Sequence, residues 1–181
     1  MRIPMIIFLL ALAVGSDLLH RRIPNKLVVV GLLTALVIAI IEPWLPDGSR
    51  QPDMDWTSIL AGTGVGLLSL LPLYLLRACG AGDVKLMAMV GAFVGPTTVL
   101  YAALYTLITG GVLSLVYMLA KGVAAQTLRN VQFLLTDLFV RAASGSSVRL
   151  DPLATTAARL PYAVAIAAGT GMALLQRAGI V

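Results

Sequence analysis

The stretch from Leu86 to Ala120 contains no charged residue, and it constrains the fold more than any other part of the sequence. One membrane crossing needs about 20 mostly apolar residues, so this stretch is too long for a single transmembrane helix. Residues 95–98 have the sequence Gly-Pro-Thr-Thr, which is a natural break because proline disfavours continuation of a helix. The stretch therefore predicts two transmembrane helices separated by residues 95–98.

The composition points to the same class of protein. Of the 181 residues, 59% are hydrophobic and 12% are charged, whereas roughly a quarter of an ordinary soluble domain is charged. The same fractions exclude a disordered chain. Four further apolar segments approach the length of a crossing: residues 3–16, 27–41, 59–76 and 160–175. We therefore predict an all-α, polytopic membrane protein with about six transmembrane helices, forming one domain over residues 1–181.

The loops between these segments predict the orientation, because cytoplasmic loops are enriched in Lys and Arg. The first loop carries Arg21, Arg22 and Lys26, the second is acidic, and the third is basic again. Residues 121–159 hold five basic residues and two acids. Within them, the helical spacing of apolar residues over 126–142 predicts an amphipathic helix on the cytoplasmic membrane face. Both termini are then expected outside the cytoplasm.

A second interpretation applies to the N-terminus. Arg2, the apolar run from Ile6 to Val14 and the small residues after it also resemble a cleavable signal peptide. Pro4 and the immediate continuation into Asp17 and a basic loop favour a retained helix. Loss of the segment would also break the alternation of basic and acidic loops.

Two of the eight acidic residues, Asp17 and Asp83, lie against apolar segments, whereas solvation in polar loops is a sufficient explanation for the others. A carboxylate near membrane depth costs several kcal/mol unless it is paired or hydrated. Asp17 ends the first apolar segment and Asp83 precedes the fourth, so both are expected at the same membrane face. Two carboxylates that meet can share one proton, as aspartic proteolysis requires.

From the residues alone, other roles for these acids stay open. Asp83 is well placed as a helix N-cap, and a structural polar contact or a proton path is also compatible. Alternative catalytic chemistry is limited, because the only histidine, His20, and the only cysteine, Cys79, offer no catalytic triad, disulfide or zinc site. No metal or cofactor is expected. Nucleic acid is not expected as a partner either, since the basic residues are scattered singly among apolar runs.

The residues around both acids resemble a known family. Gly80-Ala81-Gly82-Asp83 and the residues that follow to position 92 are similar to the GxGD-centred signature of the prepilin peptidases, the bacterial type IV leader peptidases. Asp17, followed by Ile23-Pro24-Asn25, resembles the other half of that signature. Residues 159–169 resemble the C-terminal helix of the family. The three matches occur in order and span nearly the whole chain.

This resemblance implies an aspartic endopeptidase of the bacterial cytoplasmic membrane, with its active site toward the cytoplasm. Its substrate would be a prepilin or pseudopilin precursor with a basic leader. The enzyme would be surrounded by membrane lipid, and Asp17 and Asp83 would be its catalytic pair. The chain begins at the first helix and has no paired CxxC motifs, so it resembles the short peptidases of tight-adherence (Flp-type) pili. Methyltransferase activity is therefore not expected.

Neighbouring residues are assigned secondary roles. Pro24 and Asn25 are expected to shape the turn into the second helix, and Gly80 and Gly82 to allow close approach of a backbone. Lys85 is expected to tune the acidic pair, to contact substrate, or to serve only as a topological charge.

Other positions are interpreted as structural. Cys79 is interpreted as a packing residue, and Met87 and Met89 as helix surface.

Two other functions are compatible with the same residues. One is a non-enzymatic assembly or proton-path subunit of a pilus or secretion system, in which the acids pair with Arg or Lys. The other is an intramembrane protease of the broader GxGD type that cleaves helices within the bilayer. The particular pilin, the cleavage position and the oligomeric state stay open.

Overall fold

A computed structural model of the chain describes residues 2–44, 55–76, 79–122, 132, 136 and 162–180. These residues form helices and their connections, with no strand among them. The α-helices are α1 (Arg2–His20), α2 (Asn25–Ile41), α3 (Trp56–Leu75), α4 (Ala81–Val94), α5 (Pro96–Lys121) and α6 (Tyr162–Arg177). A short 3-10 helix, Glu42–Trp44, continues from α2.

Each of the six apolar segments of the sequence corresponds to one of these helices. Helices α1, α3 and α5 are long and apolar enough to cross a membrane, and α2 is a shorter apolar helix. Helices α4 and α6 have 14 and 16 residues, fewer than the about 20 of a full crossing. The prediction of an all-α membrane protein is confirmed, whereas the number of full crossings stays a prediction.

The predicted amphipathic helix, residues 126–142, lies outside the described residues except for Gln132 and Thr136. Both of these are helical, and the Thr136 hydroxyl donates a hydrogen bond to the Gln132 carbonyl over 2.8 Å. The amphipathic character of the segment stays a prediction.

The chain divides into two compact units. The first unit comprises Met1–Gly110 and Pro161–Val181, and it contains every residue discussed below as part of a site. The second unit is Gly111–Leu160, in which the described residues are the last part of α5, Gln132 and Thr136.

Helix α4 is the central helix of the first unit. Every residue from Leu86 to Val94 is buried, because α1, α2, α3 and α6 all pack against α4. Met87 and Met89 are fully buried, so the interpretation of these residues as helix surface is wrong. A helix covered on all sides has no exposed stripe, and its sequence therefore shows no polar face.

Helices α3 and α4 cross with their backbones in close approach. A Cβ atom on Gly62 would overlap the carbonyl of Gly91, and one on Gly66 would overlap the carbonyl of Met87. Small residues at such crossings let membrane helices approach closely. These glycines therefore fix the position of α4 along α3.

The start of α1 and the end of α2 are joined by a buried ion pair. The Nε atom of Arg2 donates to Oε2 of Glu42 over 2.9 Å, and both side chains are buried. The expectation that Glu42 is a solvated loop residue is therefore wrong, because Arg2 supplies the charge that allows its burial. The N-terminal segment that resembles a signal peptide forms α1, with Ile6 and Leu10 in the core.

Candidate active site

Asp17 lies in the last turn of α1, and its carboxylate reaches the first turn of α6. The side chain is 7% exposed, and Oδ2 accepts a hydrogen bond from the backbone N–H of Ala163 over 3.1 Å. The first N–H groups of a helix have no partner within the helix, and the helix dipole makes this end favourable for negative charge. The Asp17 carboxylate therefore takes up one of the free amides at the start of α6.

Asp83 lies in the first turn of α4. The helix begins at Ala81 after the N-cap residue Gly80, so Asp83 is its third residue and not its N-cap. Its Oδ2 atom accepts a hydrogen bond from the Gly80 backbone N–H over 2.9 Å, and the side chain is 9% exposed. Asp83 thus satisfies a free amide at the helix start from within the helix.

The two carboxylates lie close enough to influence each other electrostatically. Asp83 precedes the apolar part of α4, which starts at Leu86. The pKa of Asp83 is raised to about 6: burial is the largest cause, the Gly80 hydrogen bond lowers the pKa in part, and the charge of Asp17 contributes to the rise. Asp83 therefore keeps a proton to a higher pH than an ordinary aspartate does.

Neither carboxylate has a cationic partner among the described residues. The one salt bridge found in that part of the chain joins Arg2 and Glu42. The nearby Lys85 side chain is exposed, and its Nζ atom donates to Oδ1 of Asn25 over 3.1 Å. Among the described residues, the hydrogen bonds that the two carboxylates accept come from the backbone amides of Ala163 and Gly80.

The first loop packs against the first turn of α4 beside the pair. A Cβ atom on Gly82 would lie 3.3 Å from Cβ of Ile23, which leaves little room for any larger residue. Pro24 is the N-cap residue of α2, with φ −64° and ψ 129°, and Asn25 is the first residue of the helix. The hydrogen bond from Lys85 to Asn25 joins α4 to the start of α2 beside this contact. The structure therefore brings together all the secondary site residues chosen from the sequence.

Helix α6 contributes two residues to which the sequence assigned no role at the site. Ala163 provides the amide that binds Asp17, and Tyr162 lies within electrostatic range of Asp83 and Cys79. The tyrosine ring also packs against Gly110, where an added Cβ atom would lie 3.1 Å from the phenolic oxygen. Proline at position 161 is a sequence signal for the start of a helix. The role of the Ala163 amide could not be predicted from it, because a backbone amide leaves no mark in the pattern of side chains.

Cys79 lies in the connection between α3 and α4, near Asp83. Burial, and to a lesser degree the charge of Asp83, raises the pKa of its thiol to about 11. A thiol of this kind stays protonated at neutral pH and is a poor nucleophile. Among the described residues, no group of three or more His, Cys, Asp or Glu side chains could hold a metal ion.

Comparison with known proteins identifies the family. The family model described as "Type IV leader peptidase family" matches residues 4–115, which is more than half of the chain. The chain belongs to the type IV leader peptidase family. The part of this family member that matches includes both Asp17 and Asp83. No curated protein and no solved structure matches the chain.

Membership of the type IV leader peptidase family implies peptidase activity on a protein substrate. The helices that could cross a membrane give the same chain a membrane location. In this family member, the two carboxylates are buried and Tyr162 beside them is half-buried.

Proposed function

We propose that the chain is a membrane aspartic endopeptidase that removes the basic leader from type IV (Flp-like) prepilin or pseudopilin precursors. One observation carries this proposal: Asp17 and Asp83 are buried together without a cationic partner among the described residues. A member of a peptidase family with two buried acids within electrostatic range of each other has the groups for aspartic proteolysis.

In the proposed mechanism, the two carboxylates have different roles. The Asp17 carboxylate removes a proton from a water molecule, and the oxygen of that water attacks the carbonyl carbon of the scissile peptide. Protonated Asp83 donates a hydrogen bond to the carbonyl oxygen and stabilises the negative charge that develops there. Collapse of the tetrahedral intermediate breaks the C–N bond, and the proton held by Asp17 passes to the leaving amine.

This division of roles is supported by the environments of the two acids. The Asp17 carboxylate accepts a hydrogen bond from the Ala163 amide at the start of α6, which orients it as an acceptor. Burial and the neighbouring charge raise the pKa of Asp83 and favour its protonated form. The pair can therefore offer a base and an acid from two residues of the same type.

We propose that the pair faces the cytoplasm of the bacterial inner membrane. The exposed basic residues Arg21, Arg22 and Lys26 lie in the first loop and at the start of α2, next to the end of α1 that carries Asp17. Loops rich in Lys and Arg stay on the cytoplasmic side. This assignment supports cleavage of a leader at the cytoplasmic face, with both termini of the chain on the other side.

The secondary residues are proposed to shape the site. The Lys85–Asn25 hydrogen bond and the Pro24 turn hold the first loop against α4, while Gly80 and Gly82 keep the approach to Asp83 narrow. We propose that the whole chain acts as one peptidase domain. We expect no methyltransferase activity.

The proposal is tested by processing of a candidate precursor in a purified system. Asp17→Asn and Asp83→Asn should each abolish cleavage while the protein is still expressed and folded. Asp55→Asn is the matched control, because Asp55 is an exposed acid at the N-cap of α3 and should leave cleavage unchanged. Full processing by either site variant would contradict the assignment.

The same system separates the competing functions. A non-enzymatic assembly or proton-path subunit would process no precursor, with or without the variants. A substrate panel with a leader-bearing pilin precursor and an ordinary transmembrane helix tests the broader intramembrane protease. Cleavage of the pilin precursor alone is expected.

A further inference from the structure

A cavity lies at the end of α4 that is remote from Asp83. It has a volume of about 350 Å³ and is formed by the end of α4, the first turns of α5 and the last turns of α6. Its polar lining comes from Thr97, Thr98, Tyr101, Gln176 and Arg177. Since α4 has 14 residues, a rise of about 1.5 Å per residue separates this cavity from the acidic pair by roughly 20 Å. The cavity is therefore a separate feature from the candidate active site.

The start of a long helix lies in the wall of this cavity. Helix α5 begins at Pro96, which has no N–H, and the first closing bond of the helix runs from the Val99 N–H to the Gly95 carbonyl over 3.0 Å. The N–H groups of Thr97 and Thr98 therefore have no carbonyl partner within the helix. Free amides and the positive end of the dipole at a helix start attract anions.

The Thr98 hydroxyl gives an independent indication of a ligand. Thr98 is only 7% exposed and lines the cavity, yet its hydroxyl makes no hydrogen bond to any described residue. The buried residues Thr106 and Thr170 instead donate to the carbonyl four residues earlier, over 2.6 and 2.7 Å. The Thr98 hydroxyl is not among the fully buried atoms of the described residues, although the residue as a whole is buried, so it is accessible from the cavity that Thr98 lines. The hydroxyl is therefore available to a ligand inside the cavity.

Arg177 adds a positive charge to the same wall. Its Nη1 atom donates to the Val94 carbonyl over a long 3.4 Å, and it forms no salt bridge with any described carboxylate. The guanidinium group has five N–H donors in a planar fork that matches phosphate and carboxylate oxygens. Further donors of Arg177 are therefore available to a ligand in the cavity.

We propose that this cavity binds the phosphate group of a membrane phospholipid. A phosphate has enough acceptor oxygens for the amides of Thr97 and Thr98, the Thr98 hydroxyl and the Arg177 guanidinium together. Inorganic phosphate offers the same chemistry, but the surroundings favour a lipid. Helix α5 is one of the helices able to cross a membrane, so its first turn lies at the depth of the headgroups. Leu100 and Tyr101, which follow on α5, expose apolar surface to acyl chains.

The proposal is tested by titrating the delipidated full chain in detergent with three probes and counting bound molecules by native mass spectrometry. The probes are phosphatidylglycerol, a diacylglycerol with the same acyl chains, and inorganic phosphate. Phosphatidylglycerol should bind as a discrete one-to-one complex, whereas diacylglycerol should not. Equal binding of the two lipids would overturn the proposal, and tighter binding of inorganic phosphate would overturn the lipid as its source.

Two variants locate the binding. Arg177→Gln removes a charged donor and should weaken phosphatidylglycerol binding about tenfold or more. Thr98→Val keeps the shape of the side chain but removes the hydroxyl, and should weaken binding about threefold. Thr170→Val is the control, because that hydroxyl is already bonded within α6 and should leave binding unchanged. Affinities unchanged in both cavity variants, with thermal stability in the absence of lipid preserved, would overturn the proposal.

Discussion

The two ends of the first unit both bury carboxylates, but they stabilise them in different ways. Glu42 is 6% exposed and is held by the Arg2 guanidinium, so its charge is neutralised by a partner. Asp17 and Asp83 are buried to a similar extent, and each accepts a hydrogen bond from one backbone amide, with no cation among the described residues. Burial alone therefore does not distinguish the acids of the proposed site from Glu42. The difference among the described residues is that only Glu42 has a cationic partner.

The presence or absence of a cationic partner changes how a buried carboxylate binds a proton. A carboxylate bound to arginine gains little by taking a proton, because protonation would leave the arginine charge unbalanced. Two neighbouring carboxylates without a cation gain by sharing one proton, because this removes the repulsion between them. The Arg2–Glu42 pair is thus suited to fix two helices in place, whereas the proposed role of the Asp17–Asp83 pair is to move protons.

The largest expected effect separates catalysis from stability at the acidic pair. Asp83→Asn should reduce cleavage by about 10²- to 10⁴-fold or more, since general acid–base catalysis contributes on that scale. The fold should keep its stability, because the change removes an uncompensated buried charge and keeps a similar shape. Single-turnover cleavage and thermal unfolding in detergent measure the two quantities on the same sample. A variant that loses stability in proportion to its activity would show that Asp83 is structural.

At the Arg2–Glu42 ion pair, we expect a loss of stability while cleavage is retained. Glu42→Gln removes the carboxylate charge that faces the buried Arg2 guanidinium, and breaking a buried ion pair in this way destabilises a fold by about 3–5 kcal/mol. Folded protein should still cleave precursor at the wild-type rate, because the pair lies at the far end of α1 from Asp17. Chemical denaturation and cleavage per folded molecule test this expectation. The double change Arg2→Met with Glu42→Leu should recover much of the stability, since an apolar pair of similar size often replaces a buried ion pair.

The sequence was sufficient to predict the helices and the acidic pair, for one physical reason. In a chain with 12% charged residues, each apolar segment is long and clearly bounded, and an acid inside such a boundary is conspicuous. Asp17 and Asp83 could be chosen on that basis, and the order of the helices brings them to the same end.

The features that could not be predicted depend on contacts between distant segments. An apolar helix that faces lipid and one buried among other helices have the same composition. The burial of Met87 and Met89 on α4 therefore could not be predicted from the sequence. Glu42 was placed in a solvated loop because its partner, Arg2, lies 40 positions away. The amide of Ala163 that binds Asp17 belongs to the backbone, which no pattern of side chains records.

A smaller effect is expected at the crossing of α3 and α4, which connects the two ends. Gly62→Ala forces a Cβ atom against the carbonyl of Gly91, and overpacking of this kind costs about 1–3 kcal/mol. Because the crossing sets the position of α4, we expect this variant to reduce both stability and cleavage, unlike a change at either acid site. Gly64→Ala on the same helix is the control, since its Cβ atom meets nothing within 4 Å. It should be neutral or stabilise α3 by about 0.5–1 kcal/mol. Equal effects of the two alanines would contradict the close crossing.

The smallest expected effect is a shift in the titration of Asp83, which shows whether the two acids are coupled. A hydrophobic carbodiimide reacts with a protonated carboxyl group, so labelling of Asp83 should fall as the pH rises through about 6. In Asp17→Asn, the midpoint should move down, because the charge of Asp17 is one cause of the raised pKa. It should stay above the ordinary value of 3.8, because burial is the larger cause.

The raised pKa of Asp83 also makes the stability of the fold depend on pH. Asp83 favours the folded state at a pH below about 4, and this contribution is lost as the pH rises to about 6. Wild type should therefore lose stability relative to Asp83→Asn across that interval, which unfolding at several pH values can measure. If the labelling midpoint is the same with and without Asp17, the two carboxylates titrate independently. The contrast with the Arg2–Glu42 pair would then rest only on the absence of a cation beside Asp17 and Asp83 among the described residues, and a shared proton would no longer explain how two like charges remain together at this end of the fold.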